Sequence, residues 1–176
     1  SPGWFELPLP EGGCVELLLE AEPAGAAPFE APPLPNGGLD AEDRFGSRLQ
    51  AATRDFLARR GEGLTVIAGY PWFLDWGRDT HIACRGLLAG GWHAEVRRIL
   101  LTFARFEREG TLPNMLGPED TANRESSDAP LWFGLACEEA SAALGPELYE
   151  ADAGGRPLRE VLASIARHHL RGTGSG

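Results

Sequence analysis

The spacing of apolar side chains changes near residue 40. Ahead of it, short apolar runs (Trp4-Phe5, Val15 to Leu19) are broken by proline and glycine. Residues 21–38, AEPAGAAPFEAPPLPNGG, have the composition of a connection rather than a packed element. Residues 1–20 therefore read as the end of a preceding β domain and 21–39 as a linker. From Asp40 the spacing turns helical. Asp40 is placed to cap a helix over 41–60, with Phe45, Leu49, Ala52 and Phe56 on one face. A second helix follows Asp79, through Ile82 and Leu87, to a stop at Gly90-Gly91. A third is predicted over 93–109, striped by Val96, Ile99, Leu100, Phe103 and Phe106. A fourth starts near Ser127 with Leu131, Leu135 and Ala136, and a fifth spans 157–171 with Leu158, Val161, Leu162 and Ile165.

Short connections make consecutive helices antiparallel neighbours. Longer ones, 61–78 and 110–126, recur before alternate helices. That is the rhythm of a toroid of helical hairpins, in which long loops gather on one face and each ends at an inner helix. The expected fold class is all-α: part of an (α/α) six-hairpin toroid over 40–176.

The two long loops hold the unusual chemistry. AGYPWFLDWGRDTHIA, 68–83, sets Trp72, Trp76, Arg78 and Asp79 among turn residues; ESSDAPLW, 125–132, sets Asp128 at a second helix start. Asp at a helix start is an ordinary cap, and an ion pair of Arg78 with Asp75 or Asp128 is an ordinary use of charge. Core packing suits Phe73 and Trp92, and even Trp4. Capping leaves Trp72, Trp76 and Arg78 unexplained. A sugar explains them together: tryptophan covers the apolar C–H face of a pyranose, and Arg and Asp form charge-assisted bonds to its hydroxyls. Gly77 is placed to let backbone approach closely.

Composition narrows the classes. A charge of −10 argues against nucleic acid and anionic membranes as partners. Cys14, Cys84 and Cys137 are too scattered for a disulfide framework and suit a reducing cytoplasm. No apolar run approaches the ~18 residues of a membrane span, and no signal peptide is visible. His81, His93, His168 and His169 have no partners at ligand spacing, so no metal is expected. With no P-loop, dinucleotide fingerprint or G-x-S-x-G, no cofactor is expected either.

Four segments in order, GEGLTVIAGYPWFLDWGRDTHIACRGLLAGG, EVRRILLTFARF, GTLPNMLGP and SSDAPLWFGLA, resemble the bacterial and archaeal glycogen debranching enzymes. The resemblance covers roughly residues 48–144, and more weakly to 176. It implies a glucoamylase-like six-hairpin toroid with amylo-α-1,6-glucosidase activity on branched α-glucan, glycogen or limit dextrin. It implies that Arg78 and Asp79 belong to a Trp-x-Arg-Asp element, here led by Trp76, that holds the terminal glucose. Asp128 matches a second sugar-contacting aspartate, and Asn114 of LPN lies on the same loop face. Ser126-Ser127 and Met115 depart from the family pattern, which usually has an Asn-Thr-type pair and a basic residue there. Inverting hydrolysis needs two carboxyl groups, ~6.5–9.5 Å apart. The resemblance puts that acid and base in later motifs, so the catalytic residues are expected beyond Gly176 and the chain is expected to be a fragment. Other toroidal glycosidases (glucoamylase, trehalase or neutral invertase types) and a non-catalytic glycan-binding module are the alternatives.

Overall fold

The computed structural model describes residues 11–13, 30–33, 44–116 and 123–172. The chain divides into two compact units, Ser1–Glu30 and Ala31–Gly176, and every element named below lies in the second. The expected Asp40 cap, Trp4, and most of the 1–20 and 21–39 segments fall outside the described residues.

The described part is mostly helical, with one small hairpin: α1 (Arg44–Asp55), β1 (Leu57–Arg60), β2 (Gly63–Val66), α2 (Gly77–Ala89), α3 (His93–Ala104), α4 (Ala129–Leu144), a 3-10 turn at Pro146–Glu150, and α5 (Leu158–Arg171). No described helix is long and apolar enough to cross a membrane.

The hairpin corrects the all-α expectation and cuts short the helix expected over 41–60. Leu57 pairs with Val66 and Arg60 with Gly63, antiparallel, which leaves the two-residue loop Gly61-Glu62. Gly61 has φ +56°, the left-handed value that such loops reserve for glycine. The apolar rhythm of α1 runs on through Phe56, but burial of Leu57, Leu64 and Val66 on a common face favours strand pairing. The expected stripe of α1 is not core: Phe45 and Leu49 are exposed, and no residue of that helix is buried.

α2, α3 and α4 enclose the core. Trp92, Val96, Ile99, Leu100 and Phe103 from the α3 segment meet Phe133, Ala136, Cys137 and Ala140 of α4, with Cys84 and Leu87 of α2. α5 adds Leu158, Val161 and Ile165. Burying side chains of this size stabilises by roughly 1.5–3 kcal/mol each before entropy is counted. Trp92 is core, as expected. The buried face of α4 differs in part from the expected one: Leu131 and Leu135 face solvent, while Ala136 faces inward as expected, with the small residues Ala129 and Ala140. Small side chains let α4 lie close to α2.

α3 ends at Ala104, not 109. Arg108 and Thr111 exchange backbone hydrogen bonds of 3.1 and 2.9 Å across a tight turn. The buried Glu107 carboxylate accepts the Gly110 amide at 2.7 Å and the Ser164 hydroxyl at 2.8 Å, and pairs with Arg156. A buried carboxylate needs such donors, and its cluster of them bends the chain and ties α5 to the loop that follows α3.

Candidate sugar-binding site

The aromatic loop between β2 and α2 is held by its own backbone. The Phe73 amide donates to Gly69 at 2.9 Å, and the Ala68 amide to Leu74 at 2.9 Å. Asp75, fully buried, anchors it: Arg60 Nε donates to Oδ2 at 2.8 Å and Nη2 to Oδ1 at 2.5 Å. This two-point pairing takes Asp75 away from Arg78 and gives it a structural task. The rigid loop leaves its aromatic side chains outside. Trp72 is 83% exposed, Phe73 55% and Trp76 37%, so the core role expected for Phe73 is wrong.

α2 begins three residues earlier than expected. Trp76 occupies the cap position without a side-chain cap bond, Gly77 is the first helical residue, and Asp79 is the third. A Cβ on Gly77 would lie 3.0 Å from the Pro113 carbonyl oxygen. The backbone that approaches Gly77 is therefore the chain's own, and the Gly77 amide donates to the Asn114 carbonyl at 2.8 Å. Trp76 also forms a β-bridge with Met115, and the Leu116 amide reaches the Asp75 carbonyl at 3.3 Å. The two long loops are thus stitched together directly under the WGRD segment.

The second loop is ordered from within. Asn114 Oδ1 accepts the Ser126 amide at 3.0 Å, and its Nδ2 donates to Asn123 Oδ1 at 2.8 Å. Arg124 donates to the Phe106 carbonyl at 2.7 Å and the Thr111 carbonyl at 3.0 Å. Asp128 stands at the cap position of α4 but makes no side-chain cap bond. Its Oδ1 accepts the Ser126 hydroxyl at 2.6 Å and its Oδ2 accepts Arg78 Nη1 at 3.1 Å. The Ser126 hydroxyl, and after it Arg78, hold the Asp128 carboxyl below the usual carboxylate range. The capping explanation therefore fails for Asp128, and the Arg78–Asp128 pairing, one of the two bland options, is what forms.

Asp79 differs from its neighbours. Among the described residues its carboxylate has no hydrogen bond or ion pair. It borders a cavity of about 250 Å³ with Ala68, Phe73 and Trp76. Its other side meets a larger apolar groove of about 630 Å³ between α1, the hairpin and α2. Trp72, Arg78, Asn114 and Asp128 line neither. Arg78, Asn114 and Asp128 form one connected network, Trp76 and Asp79 share the cavity, and Trp72 stands apart on the loop surface.

Residues 51–174 match the family model described as amylo-alpha-1,6-glucosidase. The chain belongs to that family. This makes it a relative of glycogen-debranching glycosidases, as the four sequence segments indicated. All six residues singled out from the sequence lie inside the matched span. The sequence reading missed Arg60 and gave Ser126 no role beyond its departure from the family pattern; Ser126 had a signal, since a hydroxyl two residues before an aspartate is a common local partner for it.

Proposed function

We propose that the cavity between the aromatic loop and α2 takes the terminal glucosyl residue of an α-1,6 branch, as the substrate-holding part of an amylo-α-1,6-glucosidase domain. The observation that carries this reading is the Asp79 carboxylate, free of partners among the described residues and opening beside Trp76 and Phe73. Those rings offer apolar surface to the C–H face of a pyranose. Asp79 accepts from hydroxyls, and Arg78 donates with the guanidinium hydrogens that Asp128 does not use. In this reading α2 and α4 are inner helices of a six-hairpin toroid, and their N-terminal ends face the glucan.

Hydrolysis with inversion needs one carboxylic acid at the leaving oxygen and one carboxylate on water, ~6.5–9.5 Å apart. The carboxylates near this cavity suit holding rather than proton transfer: Asp75 is buried under Arg60, and Asp128 is bound by Ser126 and Arg78. We assign the acid and base to residues outside those described.

Isomaltose and melibiose test the reading, because both are α-1,6 disaccharides and differ at the C4 hydroxyl of the terminal sugar. Tryptophan emission should titrate with isomaltose and respond far less to melibiose. Asp79→Asn should weaken isomaltose binding by about 2 kcal/mol, the scale of a charge-assisted hydrogen bond, with thermal midpoint unchanged. Equal response to the two sugars, or an Asp79→Asn variant that binds as its parent does, sinks the assignment.

A further inference from the structure

The two aspartates at the helix starts are bonded in opposite ways, and the difference divides their work. We propose that Ser126 is a positioning residue: its hydroxyl fixes Asp128, and Asp128 in turn aims the Arg78 guanidinium at the sugar that Asp79 receives. This rests on the glucosyl-site reading above and adds a residue and a role to it.

The bonds converge on Asp128, which accepts from Ser126 on one side and from Arg78 on the other. Asn114 takes the Ser126 amide at 3.0 Å and is itself fixed by Asn123 at 2.8 Å. The Asn114 carbonyl takes the Gly77 amide at 2.8 Å, one residue before Arg78. Ser126 Oγ then donates to Asp128 Oδ1 at 2.6 Å, and Asp128 Oδ2 takes Arg78 at 3.1 Å. Each Asp128 oxygen already has a protein donor, and both polar atoms of the Asn114 side chain are engaged. Neither side chain has the free bonding capacity of Asp79.

Stability does not account for the arrangement. The Arg78 and Asp128 side chains are 53% and 43% exposed. An ion pair that wet contributes little to folding, because water screens it and ordering two side chains opposes it. Nor is the aspartate a helix cap. What the chain of bonds does accomplish is restraint: a long, freely rotating arginine, one residue before the cavity-lining Asp79, is tied to Asp128. An arginine aimed before the ligand arrives loses less freedom on binding, and affinity rises for that reason alone.

The test is isomaltose titration of the 176-residue chain and five variants. Ser126→Ala should weaken binding roughly tenfold, and Ser126→Thr, which keeps a hydroxyl, should restore it to within about twofold. Asp128→Asn combined with Ser126→Ala should bind no worse than Asp128→Asn alone, since both act through one carboxylate. Thermal midpoints of the Ser126 variants should match the parent. A merely structural serine would lower the midpoint and would add its effect to that of Asp128→Asn. If Ser126→Ala binds as the parent does while Asp79→Asn does not, the positioning role is overturned and the glucosyl site stands. If Asp79→Asn also binds normally, the site itself is misassigned and the inference falls with it.

Discussion

His81 shows how much one side chain constrains this protein. It lies one turn into α2, fully buried, with ring centroids 4.8 Å from Phe103 and 5.2 Å from Phe133, both edge-on. No hydrogen bond of normal geometry reaches either ring nitrogen. Burial pushes its pKa from 6.5 down to about 3, with the Ala129 backbone offsetting part of the effect. Above pH 6.5 the residue is neutral in both folded and unfolded chains and contributes no pH dependence. Below it, the unfolded chain takes up a proton that the folded chain refuses until about pH 3. Stability therefore falls as pH drops through that window, by up to about 1.4 kcal/mol per pH unit. Urea midpoints at pH 7 and pH 4.5 check this: the gap between them should narrow in His81→Leu. A gap of unchanged size would mean that other groups carry the acid sensitivity. Trp72 supplies a second expectation. Because it lies outside both the 250 Å³ cavity and the Arg78–Asp128–Asn114 network, Trp72→Ala should leave isomaltose affinity within about twofold, the range of a surface change away from the ligand.

The hairpin is held against α3 by close approach. A Cβ on Gly63 would lie 2.1 Å from Thr102 Oγ1, and that hydroxyl accepts the Leu64 amide at 3.2 Å while donating to Arg98 at 2.7 Å. Gly63→Ala forces the strand off the helix and should cost about 1–3 kcal/mol, read as a lowered denaturant midpoint with slope unchanged. Glu107→Gln, which removes the charge facing Arg156 and weakens the joint between α5 and the 105–111 turn, should cost about 2 kcal/mol by the same measurement. Elements of this kind were only partly legible in the sequence. The four helices α2 to α5 follow from 3.6-residue spacing, and the 61–78 connection that begins at the Gly61-Glu62 turn was visible. The strands flanking that turn were not, because Phe56 and Leu57 extend the helical rhythm of α1 and only contact with α3 decides for pairing. The early end of α3 was hidden for a like reason. Phe106 keeps the stripe going, while the deciding bonds run from Glu107 to Ser164, far along the chain. The sugar-site segments were legible as composition, but that Asp79 is free and Asp128 engaged depends on Ser126 and Asn114, which local spacing does not rank.

For the molecule as a whole, charge and surface act together. Net charge is −10 at neutral pH and vanishes near pH 4.8. The same interval is where His81 erodes stability. An apolar groove lined by Leu49, Phe56, Ile67, Ile82 and Leu87 opens to solvent. Loss of repulsion over such a surface favours association. Light scattering on acidification should rise steeply as pH approaches 4.8, and Leu49→Glu should delay the rise; a flat trace would show that the groove is not adhesive. The seam at Gly77 bears on how such a molecule can be altered. The Pro113 carbonyl occupies the space a side chain there would need, and the Asn114 carbonyl holds the helix's first amide. The WGRD and LPN segments are therefore one structural part, written in two places. Anyone transplanting the first into another scaffold must carry the second and its 123–128 buttress with it. Moved alone, the tryptophan and arginine would arrive with their chemistry intact and their aim lost.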